Sequence, residues 1–584
     1  MIPVSEAVKA AFNPNNGQGG RYVDFSVVWG VTNEEAAEHV SAAAEEEPVI
    51  SRAEQIFNDN RDPLKIATFE TRGWPLDGTA VIPPKPVEMP DAEIGLVMPD
   101  LSGPDGYYTE PQVITLTWPD KYSWLGFTIA WGDVPPRDFT IKYLDGLSEI
   151  HTTTVTGNTR QLYVDMQGVF NCNRVEISVT RAPYPYRRVR VVEILLGALL
   201  QYDKSNSEGL RITEQIDPLN ERVPANELVI SVDNFAASFN IFDPSGIYKY
   251  LQARQRMSAR IGAEMAAGAI GWVPMGTYYL QAPELKNNFT RMDLRATDIL
   301  GLLMDTMYST GTFKTDSLEQ FLLDVAADAG VQVQYPSSLA GIIVAGYIPT
   351  VSHAEAFRRI AQAAGLLLYA NRESVICLVE PPSIPLQTFT SNDYRSGSGL
   401  QPSDDKIINT IQVAAVTYTV PAATDTLATV TGAGQHQVKY DPSTGHSISV
   451  SGGSLVSATY YVDNAIIEIT DGTAEVLGSR LGTNVQTVEA TVAGANEPRL
   501  VYQVKDNPLI QPGNTQAVAG HYLAMRAVKR RLVKMQYRGY PYVETGDCID
   551  FDTGAIATQA FILARHELRL AGGMTGTVEA REAP

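Results

Sequence analysis

The side chains that could act as catalysts or metal ligands in this 584-residue chain are scattered along it. None of the seven histidines has the HExxH or HxxxH spacing that places two zinc ligands on one helix face. No GxSxG precedes a helix, and GxxxxGK[ST] and GxGxxG are absent, so nucleophile-elbow and phosphate-loop chemistry have no support. With 66 acidic residues, carboxylate pairs suited to a glycosidase are inevitable and uninformative. We therefore expect no enzyme, no catalytic residue, no metal site and no cofactor.

One acidic motif deserves a separate interpretation. Asp547 and Asp550 flank Cys548 in the strand-like segment ETGDCIDFD. They could form a cation site, but a polar strand edge is the favoured interpretation. The three cysteines lie far apart, which fits neither a disulfide framework nor a metal site. Cys548 also lacks a nearby histidine, so it is not expected to act as a nucleophile. His353, His521 and His566 are expected to have structural or solvent-facing positions.

The aromatic residues are more informative. Trp118, Trp124 and Trp131 fall within fourteen residues, close to three tyrosines. Aromatic faces can stack on the apolar C–H faces of sugar rings, while core packing is the alternative. Trp118 and Trp131 end strand-like runs and are expected in the core, whereas Trp124 lies in the turn-like segment PDKYSW and is the better surface candidate. The glycan-binding candidates are Tyr107, Tyr108, Tyr122 and Trp124.

Charge excludes some partners. The formal net charge is −21 although only 19% of residues are charged, so the chain is acidic because basic residues are few. Such a chain is not expected to bind nucleic acid stably or to bind an anionic membrane surface. Its longest apolar run, at 191–200, is too short to span a bilayer. The N-terminal residues lack a basic region followed by an apolar run, so synthesis in a cytoplasm without a signal peptide is expected.

Two basic clusters, YRRVR and VKRRLVK, interrupt the acidic chain. A nucleic-acid patch is one interpretation. A solvated face, or contact with an acidic neighbouring subunit, is favoured. The candidates for subunit contact are Arg187, Arg188, Lys529, Arg530 and Arg531.

The elements that position these residues are mainly strands. Period-2 runs with turn signals between them recur through residues 110–197 and predict a β-sandwich. A second strand-rich block covers 206–300 and a third covers 390–580, in which 417–475 forms an elaboration with 441–447 as a hairpin tip. Residues 517–534 are the best helix candidate in the third block.

An internal repeat separates these blocks. Asp316 opens one predicted helix that ends at Gly330, and Ser352 opens a second that ends at Gly365. Each opening residue is followed three positions later by Glu, as in a capping box, and glycine can take the left-handed conformation that closes a helix. A short apolar run follows each glycine. Two such helix–strand units, offset by 36 residues at the cap, predict a small α/β domain.

Two resemblances follow from these segments. Residues 110–197, with VITLTW, SWLGFTIAWGD, DFTIKYLDG and NRVEISVTRAPYPYRRVRVVEILLG, resemble a discoidin-type (galactose-binding-like) β-sandwich. Members of that family often bind glycans through loops at one end of the sandwich. The resemblance therefore implies a host-surface polysaccharide as a ligand, although binding residues are not fixed within the family.

The flanking blocks resemble the tail-tip or baseplate hub proteins of tailed bacteriophages. The matching segments, in order, are VPANELVISVDN, VPMGTYYL, RMDLRATDILGLL, the two capped helix–strand units, KIINTIQV, DNPLI, YRGYPYVETGDCIDFD and LRLAGGMTGTVEA. This resemblance implies a structural subunit that closes the distal end of the tail tube as a ring, usually a homotrimer. Its implied partners are the distal tail protein, tail tube, tape measure and receptor-binding proteins, and its implied location is the virion.

The combined prediction is a mainly β, multidomain protein with α+β parts: hub β-domains, an inserted jelly-roll β-sandwich and a small α/β domain. The predicted segments are a flexible arm at 1–20, a discontinuous hub β-domain at 21–70 and 190–305, a linker at 71–109, the sandwich at 110–197, the α/β repeat at 306–390 and a C-terminal hub domain at 391–584. Two alternatives stay open: a glycoside hydrolase or other wall-degrading enzyme with a carbohydrate-binding module, and the hub of a phage-related contractile injection system.

Overall fold

The predominance of strands is confirmed. In the computed structural model most secondary structure is β, arranged in several sheets with few helices. The structure describes residues 1–12, 23–32, 34–44, 53–57, 67–68, 70, 94–132, 134–204, 206–234, 254–265, 270–287, 290–394, 399–404, 408–492, 499–526, 531–552 and 559–584. Within these ranges, no helix has the length and apolar character needed to cross a membrane.

The elements are numbered in chain order. Up to residue 203 they are α1 (Glu6–Phe12), β1 (Val23–Thr32), α2 (Glu34–Glu38), β2 (Ser41–Ala44), a 3₁₀ helix (Ala53–Phe57), β3 (Leu96–Val97), β4 (Tyr107–Trp131), β5 (Asp138–Asp145), β6 (Ser148–Val155), β7 (Leu162–Arg181), β8 (Arg190–Leu195) and β9 (Gly197–Asp203).

From residue 207 to 393 they are β10 (Ser207–Gln215), β11 (Glu227–Asp233), β12 (Arg256–Glu264), β13 (Ile270–Lys286), β14 (Arg291–Thr297), α3 (Ile299–Leu302), β15 (Met307–Tyr308), β16 (Lys314–Ser317), α4 (Leu318–Ala329), β17 (Val333–Gln334), a 3₁₀ helix (Ser337–Gly341), β18 (Ile343–Gly346), β19 (Val351–Ser352), α5 (His353–Ala364), β20 (Leu367–Ala370), β21 (Ile376–Val379), β22 (Gln387–Thr390) and a 3₁₀ helix (Ser391–Asp393).

The remaining elements are β23 (Gln401–Asp404), β24 (Thr410–Thr419), β25 (Asp425–Thr431), β26 (Gly434–Lys439), β27 (Ser443–Ser451), β28 (Leu455–Tyr460), β29 (Asn464–Ile469), β30 (Thr473–Arg480), β31 (Gly482–Thr491), β32 (Val501–Val504), α6 (Thr515–Arg526), β33 (Arg531–Tyr537), β34 (Cys548–Asp552), β35 (Ala560–Leu570) and β36 (Met574–Glu582).

The chain divides into two compact units. The first comprises Met1–Val27, Tyr202–Ala237 and Met257–Pro584, and the second comprises Val28–Gln201 and Ser238–Arg256. The second unit contains a sheet of seven described strands in the order β3-β8-β4-β7-β5-β6, with β2 also pairing with β4. Its core consists of aromatic and branched side chains that alternate inward along these strands, as expected for half-buried strands.

Two long strands organise this second unit. β4 and β7 pair antiparallel over most of their length, and each contains two runs that the sequence predicts as separate strands. The predicted turns between those runs are bends within continuous strands. Gly126 and Asn171 take positive φ angles of 79° and 55° where the ladder shifts register. A bulge of this kind bends a strand without ending it. Turn-forming residues in the sequence are therefore compatible with a continuous strand, and they do not by themselves predict a reversal of the chain.

The first unit is built on one large, mainly antiparallel sheet, in which β22 and β34 pair in parallel. Its strands run in the order β23-β33-β36-β35-β10-β11-β14-β13-β12, and β34 joins β35 at one side. β10 is the junction, because it pairs with β11 on one side and with β35, near the C-terminus, on the other. Segments more than 300 residues apart in sequence therefore share hydrogen bonds.

The predicted helix–strand repeat is present. Helices α4 and α5 end at Gly330 and Gly365, whose φ angles of 66° and 68° confirm left-handed caps. The strands that follow, β17 and β20, lie on either side of β21. The first cap was predicted one residue too early: Ser317 accepts the Gln320 N–H, so the offset between the helices is 35 residues. In a capping box, the glutamate side chain accepts the backbone N–H of the cap residue. In α5, Glu355 instead accepts hydrogen bonds from Arg358 and Arg359.

Residues 425–480 form a small double-sheet elaboration. One sheet has the order β25-β30-β27 and the other β26-β29-β28, and they enclose a separate apolar cluster. The prediction of a hairpin tip at 441–447 is wrong, since β26 and β27 belong to different sheets. The Asp463 carboxylate attaches the elaboration to the repeat, because it accepts hydrogen bonds from the backbone N–H and the hydroxyl of Thr350 at 2.8 and 2.6 Å.

Two terminal segments differ from the predictions. Helix α6 ends at Arg526 and residues 531–537 form β33, so the predicted helix over 517–534 is too long. Residues 1–12 belong to the segment predicted as a flexible arm, but they include α1, whose Val8, Ala11 and Phe12 are buried. The Ile2 N–H also donates to the Tyr542 carbonyl at 3.0 Å. The remainder of the predicted arm, residues 13–20, lies outside the described residues.

A buried carboxyl group holds the junction between β14 and α3. Asp298 accepts the N–H groups of Asn226 and Gly301, both at 2.9 Å. Burial raises the pKa of Asp298 to about 7, and these hydrogen bonds only partly offset the effect.

The two cap glycines provide a matched test of backbone and packing effects. Gly330→Ala should cost about 1–2 kcal/mol, because a β-carbon is strained in the left-handed conformation. Gly365→Ala should cost more, since its β-carbon would lie 3.1 Å from the Cβ of His521, whereas the position at Gly330 is open. Urea unfolding of both variants measures the difference; equal losses would contradict the packing contribution.

Candidate functional site

The tryptophan cluster belongs to the core of the second unit. Trp118, Trp124 and Trp131 are 5%, 3% and 3% exposed, which confirms the expectation for Trp118 and Trp131. The prediction that Trp124 lies at the surface is wrong. Because β4 continues through residue 124, this side chain packs inward, with its ring centroid 5.1 Å from that of Trp118. Trp124 is therefore unavailable as a stacking surface for a sugar.

Two of the tyrosine candidates are also engaged. Tyr108 is buried, and its hydroxyl donates to the Arg187 carbonyl at 3.0 Å. Burial raises the pKa of Tyr108 above its ordinary value. Tyr122 is half-buried and its ring stacks on that of His39. Of the four predicted residues, only Tyr107 presents a large exposed aromatic surface, with 46% of it accessible.

Tyr107 has two exposed neighbours that the sequence interpretation did not single out. Tyr184 and Tyr186 are 61% and 50% exposed and lie in the turn between β7 and β8. We call Tyr107, Tyr184 and Tyr186 the tyrosine patch. The Arg181 guanidinium lies 4.8 Å from the centroid of the Tyr107 ring, within cation–π range. The sequence feature that indicates this patch is the segment APYPYRR, because tyrosines in a turn that contains proline are seldom core residues.

A buried serine fixes the loops that carry the tyrosine patch. The Ser102 N–H donates to the Arg187 carbonyl, and the Tyr186 N–H donates to the Ser102 carbonyl, at 3.0 and 3.2 Å. The Ser102 hydroxyl accepts the Arg187 N–H at 3.0 Å and donates to the Tyr184 carbonyl at 3.3 Å. The Ala182 N–H also donates to the Gly106 carbonyl at 2.8 Å. The patch is thus held on rigid backbone, which lowers the entropy cost of binding a ligand.

Part of each basic cluster is paired with a carboxylate within the chain. Arg190 forms an ion pair with Glu70 at 2.5 Å, and Glu70 also accepts the Arg188 N–H at 2.8 Å. Burial acts to raise the pKa of Glu70, but the Arg190 charge and these hydrogen bonds lower it. Arg531 pairs with Glu582 at 3.2 Å. Glu70 and Glu582 therefore neutralise the charges of Arg190 and Arg531 within the chain. The guanidinium groups of the predicted contact residues Arg187 and Arg188 instead donate to the carbonyl oxygens of Tyr186 and Met98. Lys529 and Arg530 lie outside the described residues.

The Asp547–Asp550 motif is a structural turn that leads into β34, a strand paired with β22 on one side and β35 on the other, so the expected strand edge is not found. Asp547 accepts the Glu544 N–H at 2.9 Å, and Asp550 accepts the N–H groups of Phe551 and Gln559. Cys548 is buried, and burial raises the pKa of its thiol. In the described part of the chain, no three His, Cys, Asp or Glu side chains are grouped so that they could hold a metal ion.

A buried arginine in the first unit is the centre of an extensive network of hydrogen bonds. Arg372, which follows β20, donates through Nε and Nη2 to the two carboxylate oxygens of Glu214 on β10, at 2.6 and 2.8 Å. Its other N–H groups donate to the carbonyl oxygens of Pro274, Pro541 and Val543. All five N–H groups of the guanidinium are therefore used.

The network continues through a histidine. His566 on β35 lies 3.3 Å from Glu214 through Nδ1 and 2.7 Å from the Tyr537 hydroxyl through Nε2. Because the Tyr537 oxygen also accepts the Tyr540 N–H, the arrangement is satisfied when Tyr537 donates to Nε2 and Nδ1–H donates to Glu214. We call Glu214, Arg372, His566 and Tyr537 the buried polar cluster.

Electrostatics favour the ionised pair. Burial acts to raise the pKa of Glu214, but Arg372 and the hydrogen bonds outweigh it and lower the pKa to about 2. Burial acts to lower the pKa of Arg372, and the Glu214 carboxylate raises it above its ordinary value. The side chains of Glu214 and Arg372 are 2% and 3% exposed, which leaves no access for a substrate. This cluster therefore serves to join elements.

A groove occupies a different part of the first unit. It has a volume of about 580 Å³. Its floor is formed by alternate residues of β24 and β31, including Ala414, Val416 and Val485, and Arg359 and Tyr347 lie at its side. The lining combines apolar, hydroxyl and amide side chains with the charged residues Arg359, Lys505 and Asp506.

Neither a protein-family model nor a curated protein sequence matches the chain. Several solved structures match the chain at low sequence identity and low TM-score. The tail protein from Neisseria meningitidis MC58 is 12% identical, with a TM-score of 0.38 over 66% of this chain and 94% of that chain. The 43 kDa tail protein of prophage MuSo2 from Shewanella oneidensis is 11% identical, with a TM-score of 0.38 and the same coverage. A type VI secretion system component from E. coli is 8% identical, with a TM-score of 0.32 over 64% of this chain and 73% of that chain.

The buried polar cluster gives a pH-dependent expectation. Since the pKa of Glu214 is lowered from 4.5 to about 2, its stabilisation is complete above pH 4.5 and is lost as the pH falls towards 2. Glu214→Gln should cost about 3–5 kcal/mol at neutral pH, because it leaves a buried guanidinium uncompensated. The stability difference from wild type should shrink between pH 4.5 and 2 in chemical unfolding.

The control is Glu227→Gln, which removes an exposed partner of Arg211 and Arg295. That change should cost at most about 1 kcal/mol. A loss at Glu214 that is equally small, or that does not vary over this pH range, would contradict the assigned role of the pair.

Proposed function

We propose that this chain is a structural hub subunit of a bacteriophage tail tip or baseplate, which assembles as a homotrimer and closes the distal end of the tail tube. The proposal begins with the order of the hub-like segments in the sequence. One observation carries it further: segments quoted from opposite ends of that order lie in one sheet, separated by a single strand. LVISVDN forms β11, which pairs with β14 from RMDLRATD on one side and with β10 on the other. β10 in turn pairs with β35. β35 contains the beginning of LRLAGGMTGTVEA, the last segment in the order.

The main sheet is suited to assembly. Its buried ionisable groups are saturated by partners within the chain, so they stabilise a scaffold. A scaffold that joins distant segments rigidly is what a ring-forming subunit requires, because a cyclic contact must repeat with the same geometry in every copy. The proposed partners are the other tail proteins named by the resemblance.

Location in the particle tests the proposal directly. Antibody labelling of purified virions, combined with imaging and symmetry averaging, should place this chain at the distal end of the tail in three copies. A signal confined to the capsid or the tail shaft, or no signal in the particle, would overturn the proposal. Virions lacking the labelled epitope provide the control for antibody specificity.

We further propose that the second unit binds a host-surface polysaccharide through the tyrosine patch. Three exposed rings on adjacent, hydrogen-bonded loops offer apolar faces for sugar C–H groups, and their hydroxyls can exchange hydrogen bonds with sugar hydroxyls. The patch replaces Trp124, Tyr108 and Tyr122 as the proposed contact surface, since those side chains are buried or already packed.

Replacing Tyr107, Tyr184 and Tyr186 together with Ala should reduce binding of the full chain to isolated host cell walls by about tenfold or more, at about 0.5–1.5 kcal/mol per ring. Sedimentation with purified walls measures the effect. Leu147→Ala, at a 91% exposed position in the same unit, is the matched control and should bind normally. Full binding by the triple variant, with an unchanged melting temperature, would mean that the patch does not contact glycan.

A further inference from the structure

The three-stranded sheet β31-β24-β32 has two different faces. Ile411 and Val413 of β24 point into the core of the first unit, and Tyr502 of β32 stacks on Tyr522 of α6 at 5.4 Å. The opposite face forms the floor of the groove. The sheet is therefore anchored on one side and open on the other.

One edge strand of this sheet, β31, is exposed over half of its length. Residues 483–487 of β31, with the sequence TNVQT, are all exposed, so this part of the strand is uncovered on both faces. Among the described strands, only β24 pairs with β31. Natural edge strands are usually protected by lysine, proline, a bulge or a covering element. β31 contains neither lysine nor proline, and its pairing with β24 is regular over ten residues.

The opposite edge is complementary in strand direction. β32 pairs in parallel with β24, whereas β31 pairs antiparallel, so β31 and β32 run in opposite directions. Within the described strands, β24 is also the only partner of β32.

We infer that β31 of one copy pairs antiparallel with β32 of the next copy around the ring. The inference rests on the proposed homotrimer. Rotation about an axis parallel to the strands preserves strand direction, so β32 of each neighbour meets β31 with the antiparallel polarity that gives the more stable ladder. The contact is heterologous, as a cyclic ring requires, and closure in three copies leaves this sheet without an open edge.

Charged substitutions at the two edges test the contact. In the full chain, Val485→Lys combined with Val501→Lys places lysines at positions that are 57% and 41% exposed, so the fold should tolerate them. Size-exclusion chromatography with light scattering should show about a threefold fall in mass relative to wild type, with an unchanged melting temperature. Leu455→Lys, on the 42% exposed edge strand β28, is the matched control and should stay trimeric.

A cross-link supplies an independent measurement. The three native cysteines are buried, so introduced thiols react selectively. A chain with Val485→Cys and Val501→Cys should give covalent trimers on mild oxidation or with a short bifunctional maleimide, while either single variant should not. A trimeric lysine variant together with no cross-link would overturn this interface and leave the hub proposal intact. A wild-type chain that is monomeric at every concentration would overturn both.

Discussion

The ion pair between Glu214 and Arg372 is the interaction on which the first unit depends. It links β10, the junction strand of the main sheet, to the end of the helix–strand repeat, and His566 extends it to β35. Two charges buried this deeply are tolerated only when their hydrogen-bonding capacity is filled. The surrounding carbonyl groups of Pro274, Pro541 and Val543 meet that requirement, so several separate segments must be in place together.

Local patterns predicted much of the fold. Helix caps at Gly330 and Gly365, period-2 strands and the small α/β repeat all depend on neighbouring residues, and the sequence contains that information. The failures involve long-range choices. Whether PDKYSW turns or bends depends on whether β7 continues alongside β4, and the partner of β27 depends on β30 across the elaboration. Local composition does not encode either pairing.

In the candidate sites, too, local sequence predicted some features, while others depend on contacts between distant segments. Three tryptophans in a short span indicated an aromatic cluster, but inward or outward direction depends on strand continuity, and Trp124 points inward. The exposed rings of the tyrosine patch lie where two loops, separated by about 80 residues in sequence, are joined through Ser102. Glu70 and Glu214 were indistinguishable from the other acidic residues, because a carboxylate becomes informative only when its partner is known. The basic segment YRRVR contains Arg190, the partner of Glu70, but nothing in the sequence links the two residues.

Asp298 gives the molecule an exchangeable proton in its interior. With a pKa of about 7, its carboxyl group is protonated in roughly half of the molecules at neutral pH, whereas the unfolded chain would hold almost none there. Asp298 therefore takes up a fraction of a proton when the chain folds at neutral pH, and through this group the buffer's own heat of ionisation enters a calorimetric measurement of the process. Calorimetric enthalpies obtained in phosphate and in Tris will differ for this reason, even when the folded state is the same.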